Sequence, residues 1–255
     1  MKPPLRDRPA TALVAAAIPC AHGAMRRLVL LALLLATPVA AEVDRFTRSN
    51  LLATLYHEVA HALVDLLDLP ILGLEEDAAD ALSVHLIDLL HPEMEARAMV
   101  RDVAYLYGFE HEERDGDFPY WSRYSTDARR GFNALCLFYG GDPGARAGFA
   151  RKAELPEGRQ ETCPEERGRQ KAGWDAVMAR VPGPGATLRL RRRKHPLEPV
   201  LADGIDRLNT VMALPRPVNV RIAPCEEANA FYETGSDTIL ICAELVDHIR
   251  ARRPQ

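Results

Sequence analysis

Apolar side chains recur every three or four residues from Leu51 onward, and this spacing predicts an amphipathic helix. The repeating positions are Leu51, Leu52, Leu55, Val59, Leu63 and Leu66. Ser49 and Asn50 are residue types that cap helices, and Pro70 is one that ends them. We therefore expect the helix to start near Asn50 and to reach about Asp68.

Further helices and a β-rich end follow the first helix. The same spacing predicts helices over residues 75–90, 93–107, 127–138, 165–181 and 203–213, with an ordered polar and aromatic loop at 111–126. Near the C-terminus, the runs RPVNVRIAP, ANAFYE and DTILICAEL favour strands, and a Gly-Ser-Asp turn separates the last two. The sequence therefore predicts a mostly helical α+β fold with a small antiparallel β unit.

Changes in composition suggest how the chain is divided. The segment VPGPG at 181–185 predicts a hinge, and the basic run RLRRRKH at 189–195 follows it. We interpret this run as a solvated strand or loop, with binding to an anionic cell-surface polymer as the alternative. We predict a helical core over 42–180, a linker over 181–195, and a C-terminal helix plus β unit over 196–255 that packs on the core.

The N-terminus has the layout of a secretory signal. In MRRLVLLALLLATPVAAE, residues 25–42, two arginines precede a short apolar run, and small residues precede Glu42. The run is shorter than the roughly 20 apolar residues that a membrane span needs. We predict that residues 1–41 are an extension and a signal that is removed on export to the periplasm or beyond. Translation from Met25 would explain the upstream residues, and an uncleaved membrane anchor is the alternative.

Composition and cysteine content agree with an exported globular protein. The chain has 255 residues, 47% of them hydrophobic, which suffices for one sizeable core. The net charge of −4 does not fit a nucleic-acid-binding protein. Apart from Cys20, four cysteines remain, and an even number in an exported chain predicts disulfides. We favour Cys136–Cys163 and Cys225–Cys242, because each pair lies within its own segment; a cysteine metal site would be expected to carry a CxxC.

The segment LYHEVAHAL carries the candidate chemistry. His57 and His61 are four residues apart, so on a helix they point from one face at a single ion. Glu58 is offset by one residue, where a general base for the attacking water is expected. A catalytic zinc has three protein ligands and an open position, so we predict one Zn²⁺ per chain and look for a third ligand.

Three acidic residues are candidates for the third ligand. The metzincin pattern needs a glycine at 64 and a histidine at 67, and it is excluded by Val64 and Leu67. Asp65 lies one turn beyond His61 on the same face, and it could bind the ion or accept a hydrogen bond from an imidazole. The remaining candidates, Glu75 and Glu76, belong to the following EEDAAD cluster.

Glu76 fits best, because Asp80 lies four residues later on the same helical face. In gluzincins the ExxxD pattern supplies a zinc ligand and an aspartate that holds the first histidine by its distal nitrogen, and such carboxylates orient the ring. Glu75 remains the alternative ligand, although Ala79 then occupies the position of the orienting carboxylate.

The sequence resembles a bacterial family of metallopeptidases that is known as a domain of unknown function. The matching blocks are YHEVAHALVDLLDLPILGLEEDAADAL, FNALCLFYGGDP, ELPEGRQETCPEE, LPRPVNVRIAPCEEANAFYE and ILICAEL. The resemblance implies a zincin-like zinc peptidase. In the order associated with many members the ANAFY block precedes HExxH, whereas here it follows, so we expect a permuted domain whose C-terminus supplies the β unit.

The predicted function is zinc-dependent hydrolysis of a peptide or protein substrate, with Glu58 as the base. Tyr124 and Arg130, from the polar aromatic segment and the helix after it, are candidates for stabilising the oxyanion. The segment around 238–242 could form the edge strand that pairs with substrate, or be ordinary core. We expect His85, His91 and His111 near the surface or behind the ligands. The alternative function is an exported zinc-binding or stress-response module without catalysis.

Overall fold

The structure is a computed structural model that describes residues 43–192 and 194–254. The described helices are α1 (Arg45–Leu66), α2 (Glu75–Leu90), α3 (Glu93–Arg114), α4 (Asp127–Tyr139), α5 (Pro143–Lys152), α6 (Glu157–Gln160), α7 (Cys163–Met178), α8 (Glu198–Val211) and α9 (Ala243–Ala251). The strands are β1 (Leu188–Leu190), β2 (Val218–Ala223), β3 (Ala230–Glu233) and β4 (Thr238–Cys242). The predicted signal and Cys20 lie outside the described residues.

The mostly helical α+β fold predicted from the sequence is confirmed, but the sheet is mixed. Its strand order is β1-β2-β4-β3. β1 pairs parallel with β2, β2 pairs parallel with β4, and only β3 and β4 are antiparallel. The expectation of an antiparallel unit holds for that last pair alone. β3 pairs with the outer side of β4 and runs in the opposite direction. β2 pairs with the other side of β4 and runs in the same direction.

Two strands differ in position from what the sequence suggests. β1 lies within the segment predicted to be a linker, because Leu188–Leu190 pairs with Val218–Val220. β4 is buried along its whole length between β2 and β3, so it belongs to the core. The alternative of an edge strand at Thr238–Cys242 is therefore wrong; β3 lies at the edge next to β4, and β1 lies at the opposite edge.

Helix α1 is the central element of the core. Its side chains Leu51, Leu52, Leu55 and Leu63 are fully buried, and it packs against α2, α3, α8, α9 and β3. The helix begins earlier than predicted, because Asp44 is its N-cap and accepts a hydrogen bond from the backbone N–H of Thr47. The predicted caps Ser49 and Asn50 lie inside the helix, where Ser49 donates to Asp102.

The other helix predictions were correct to within a few residues, apart from one longer helix and three that were missed. α2 has the predicted bounds, whereas α3 continues past Tyr107 to Arg114 and is capped by Asp115, whose φ of 45° is left-handed. α5 was not predicted; Asp142 caps it and Pro143 occupies its first turn. α6 and α9 are short elements that were also missed.

Two disulfides join the predicted pairs. Cys136–Cys163 connects α4 to the start of α7, and Cys225–Cys242 connects the β2–β3 loop to the end of β4. Both bonds fit an oxidising compartment outside the cytosol. Across the described ranges 43–192 and 194–254, no helix is long and apolar enough to cross a membrane.

Candidate metal centre

Three ligand-type side chains converge between α1 and α2. His57 and His61 project from one face of α1, and their Nε2 atoms lie 3.1 Å apart. The Oε2 atom of Glu76, in the first turn of α2, lies 3.1 Å from Nε2 of His57 and 3.6 Å from Nε2 of His61. Pro70 and Gly73 lie in the connection that turns α2 back onto α1.

The spacing of these three atoms fits a tetrahedral zinc ion. Ligand atoms about 2.0–2.1 Å from a tetrahedral Zn²⁺ lie roughly 3.3–3.4 Å from one another. The three separations in the structure, 3.1, 3.1 and 3.6 Å, bracket that value. Two imidazoles and one carboxylate also leave the fourth position open, as in catalytic zinc sites.

Both histidines are held from behind by carboxylates. Nδ1 of His57 is 2.9 Å from Oδ1 of Asp80, the contact expected from the sequence. Nδ1 of His61 is 2.6 Å from Oε1 of Glu75, so Glu75 lies behind the ring rather than at the ligand position. These contacts fix both rings with Nε2 directed at the same point. The role of Glu75 depends on the crossing of two helices, which local sequence spacing does not report.

Asp80 is itself held by α3 and α4. Arg130 donates to both of its carboxylate oxygens, at 2.7 and 2.9 Å, and the hydroxyl of Tyr107 donates at 3.3 Å. Burial raises the pKa of Asp80, but Arg130 and His57 outweigh this and hold the pKa well below its usual range. The guanidinium of Arg130 is thus committed to Asp80, and its plane lies over the Tyr107 ring.

The protonation of the cluster reflects its pairing. Burial lowers the pKa of His57, while hydrogen bonds to Asp80 and Glu76 raise it to about 9. Burial raises the pKa of Glu76, and its contacts with His57 and His61 lower it well below the usual range. A metal ion requires neutral imidazoles, so metal binding at this cluster is coupled to proton release.

Glu58 lies beside the cluster and is almost completely buried, with 5% of its surface exposed. Burial raises its pKa, and the charges of His57 and His61 oppose that rise. The backbone N–H of Tyr232, in the edge strand β3, also lowers the pKa by hydrogen bonding. Glu58 therefore lies within reach of the candidate ligands, where a general base would be expected.

Arg123 and Tyr124 approach the site from the loop at 115–126. Nη2 of Arg123 is 2.5 Å from Oε1 of Glu76, the oxygen that faces away from the histidines' Nε2 atoms. The Tyr124 ring lies 5.2 Å from the Arg130 guanidinium and lines the same cavity as the histidines. Arg123 was not among the residues singled out in the sequence, because nothing local relates it to Glu76.

Asp65 points away from the histidines. Its Oδ2 atom accepts a hydrogen bond of 3.0 Å from the hydroxyl of Tyr232 and lies 3.4 Å from Nη2 of Arg216. The same Tyr232 hydroxyl is 2.9 Å from Asp237. Asp65 therefore connects α1 to the sheet, and it is not in the group of three converging ligands.

The cluster opens into a cavity of about 800 Å³. One wall is formed by α1 and α2, another by the C-terminal half of α3 and the 115–126 loop, and a third by residues 228–232 and 234 around β3. β3 is one of the two edge strands of the sheet, so its outer backbone groups have no neighbouring strand. The strand that borders the cavity is thus β3.

The histidines outside the cluster differ from expectation. His85 and His91 are buried, with 4% and 6% of their surfaces exposed, and neither contacts the ligands. Nε2 of His91 is 2.8 Å from the Tyr56 hydroxyl, and Nε2 of His85 is 3.4 Å from Asp175. Only His111 is exposed, as expected. A second group, Cys225, Cys242 and Glu244, has its sulfurs in a disulfide and is no metal site.

His57, Glu58 and His61 belong to the HExxH segment of α1, and Glu76 from the following helix α2 lies with the two histidines in one group of candidate metal ligands. A sequence model of one protein family, DUF4344, described as “putative metallopeptidase”, matches residues 36–178 and 195–254. The match covers most of the chain, so the chain belongs to this family, and the resemblance found in the sequence is confirmed. The family description implies a metal-dependent hydrolase that acts on peptides or proteins. No curated protein and no solved structure matches the chain significantly.

Proposed function

We propose that the protein is a zinc-dependent peptidase whose ligands are His57, His61 and Glu76. The observation that carries the proposal is the convergence of two Nε2 atoms and one carboxylate oxygen at tetrahedral spacing, with a buried glutamate beside them. Zinc bound there would act as a Lewis acid that polarises the scissile carbonyl and makes a water molecule more acidic. Membership of the metallopeptidase family supports the same chemistry.

Glu58 is the proton carrier in this proposal. Its carboxylate accepts a proton from the attacking water and later donates it to the leaving amine. Burial raises the pKa of Glu58, which favours the proton-bearing form that the second step needs. The N–H of Tyr232 keeps the ionised form available for the first step.

The surrounding residues position the reacting groups. Asp80 and Glu75 orient the two imidazoles, and Arg130 acts through Asp80 rather than on substrate, because its guanidinium already binds that carboxylate. Tyr124 remains our candidate for stabilising the oxyanion, since it lines the cavity and its hydroxyl has no hydrogen bond to another residue in 43–192 or 194–254.

An extended peptide can pair with β3. β3 is an edge strand that lines the cavity, and strand addition would supply main-chain hydrogen bonds from the backbone groups other than the Tyr232 N–H, which is bonded to Glu58. We further propose that the protein acts in the periplasm or outside the cell, as the disulfides and the signal-like residues 25–41 suggest.

Replacing Glu58 by glutamine tests the proposal. The variant should keep its zinc and lose peptide hydrolysis by about 100-fold or more, because the proton carrier is gone while the ligands remain. Glu110→Gln is the matched control, since this carboxylate also lines the cavity but is bonded to His248. Unchanged hydrolysis by Glu58→Gln at full zinc content would overturn the mechanism.

A further inference from the structure

Three large hydrophobic side chains project further into solvent than any others in residues 43–192 and 194–254. Leu72 is 101% exposed, Trp121 is 89% exposed and Tyr120 is 83% exposed. Large exposed apolar groups mark interaction sites when they cluster, whereas scattered ones need no explanation. We call these three residues the apolar rim.

The two loops that carry the apolar rim meet at the first turn of α2. Leu72 lies in the α1–α2 connection at 67–74, which runs directly into Glu75. The other loop, 115–126, is attached to the same turn: Arg123 contacts Glu76, and Ser125 Oγ donates to Asp77 at 2.9 Å. The rim therefore flanks the turn that supplies Glu76 to the candidate metal centre.

The 115–126 loop is also continuous with the cavity. Residues on both sides of its tip line the cavity, namely Phe118, Pro119, Ser122, Arg123 and Tyr124. Its base is fixed by the ion pair of Arg114 with Asp127, at 2.6 Å. The tip residues Tyr120 and Trp121 are thus presented at the mouth of the cavity by an anchored loop.

The charges around the apolar rim disfavour a bilayer as its partner. Asp68, Asp115 and Asp117 are exposed acidic residues in the two loops. Of the arginines that flank or contact the two loops, Arg114 and Arg123 are paired with carboxylates, and Arg180 donates to the carbonyl oxygen of Leu67. Membrane-surface segments instead present Lys and Arg to anionic lipids. An uncharged or basic polypeptide that offers apolar side chains is the complementary partner.

We propose that the apolar rim docks apolar side chains of an unfolded polypeptide and so selects the substrate of the cavity beside it. This rests on the proposed peptidase function and names its substrate class: extended chains rich in apolar and basic residues, rather than folded or acidic proteins. The rim holds the chain outside the cavity, while β3 pairs with the segment that enters.

Trp121 itself reports the docking. The second tryptophan, Trp174, is buried, so a change in emission on binding would come from Trp121. Purified Glu58→Gln protein is titrated with a peptide of alternating Leu and Lys, a Ser-Lys peptide of equal length, and phosphatidylglycerol vesicles. We expect a blue shift with the Leu-Lys peptide alone, and its loss in Glu58→Gln/Trp121→Phe. No shift with the Leu-Lys peptide would overturn the proposal, and a shift with vesicles alone would assign the rim to membranes.

Kinetics on the active protein provide the second test. The triple variant Leu72→Ser/Tyr120→Ser/Trp121→Ser should raise KM for the Leu-Lys peptide about tenfold or more, with kcat and zinc content unchanged. Met94→Ser is the matched control, because Met94 is 78% exposed but lies at the end of α3 that is opposite the 115–126 loop. An unchanged KM would contradict the proposed role of the apolar rim in substrate binding.

The two proposals fail in different ways. If the Leu-Lys peptide binds through Trp121 but zinc-loaded protein with Glu58 intact does not cleave it, the peptidase assignment fails and the docking surface stands. If cleavage occurs and is indifferent to the rim substitutions, the docking surface fails and the peptidase assignment stands.

Discussion

At the scale of single residues, the candidate ligands are held in place by side chains that contact them on the side away from the proposed metal. The spacing of His57, Glu58 and His61 could be read from the sequence, because three residues on one helical turn have a fixed relation. Glu76 and Asp80 could be proposed for the same reason. The contacts of Glu75 and Arg123 could not, since they arise where separate elements cross.

Glu75 provides the sharpest test at this scale. Glu75→Ala should weaken zinc binding by about 10–100-fold, because His61 loses the carboxylate that orients it, while the three ligands remain. Asp77→Ala is the control, since Asp77 lies in the same turn and bonds Ser125 instead. Competition with a zinc chelator measures the affinity. Complete loss of zinc would make Glu75 a ligand, and an unchanged affinity would remove its orienting role.

At the scale of elements, capping and helix-ending residues in the sequence predicted the helices whose bounds are set by neighbouring residues. α2 was bounded correctly by Gly73 before it and Pro92 after it. The start of α1 was missed because Asp44 outcompetes the later Ser49 as a cap, and Ser49 instead bonds the distant Asp102. β1 was missed because a three-residue strand in a basic run carries almost no pattern, and its pairing with β2 defines it.

The contact between α4 and α7 yields a prediction at the same scale. A Cβ atom at Gly140 would overlap the carbonyl oxygen of Cys163, so Gly140→Ala should destabilise the protein by about 1–3 kcal/mol. Gly168→Ala is the control: it is exposed on α7 with nothing near its Cβ, and it should be neutral or stabilising by up to about 1 kcal/mol. Urea unfolding compares them, and equal effects would contradict the packing.

At the scale of the whole molecule, the site joins segments that are far apart in the chain. Glu58 on α1 meets the backbone of Tyr232 on β3, and Asp65 is tied to the Tyr232 hydroxyl. The fold class could be predicted, because the balance of helix and strand is local. The parallel pairing of β2 with β4, and hence the identity of the edge strand, required the complete fold.

The stability of the whole molecule should depend on pH through His85. Burial lowers the pKa of His85 to about 4, and the charge of Arg167 adds to this effect. Between a pH of about 6.5 and a pH of about 4, this histidine binds a proton in the unfolded chain but not in the folded protein. The free energy of unfolding therefore falls as pH falls through this window, by up to about 3 kcal/mol. His85→Leu should remove this part of the slope in urea unfolding.

The control for the pH dependence is His111→Leu, because His111 is exposed on α3. This variant should unfold with the same pH dependence as the wild type. If His85→Leu retains the full wild-type slope between pH 4 and 6.5, then His85 is not buried in its neutral form and the packing around α2 and α7 differs from that described.

The metal content of the purified protein tests the central claim most directly. The wild type should carry one zinc per chain, and His61→Ala and Glu76→Ala should each lose it, because either change leaves two ligands. Asp65→Ala should keep its zinc, since Asp65 binds Tyr232 and Arg216 instead. Zinc retained in Glu76→Ala, or absent from folded wild-type protein prepared without chelator, would contradict the account.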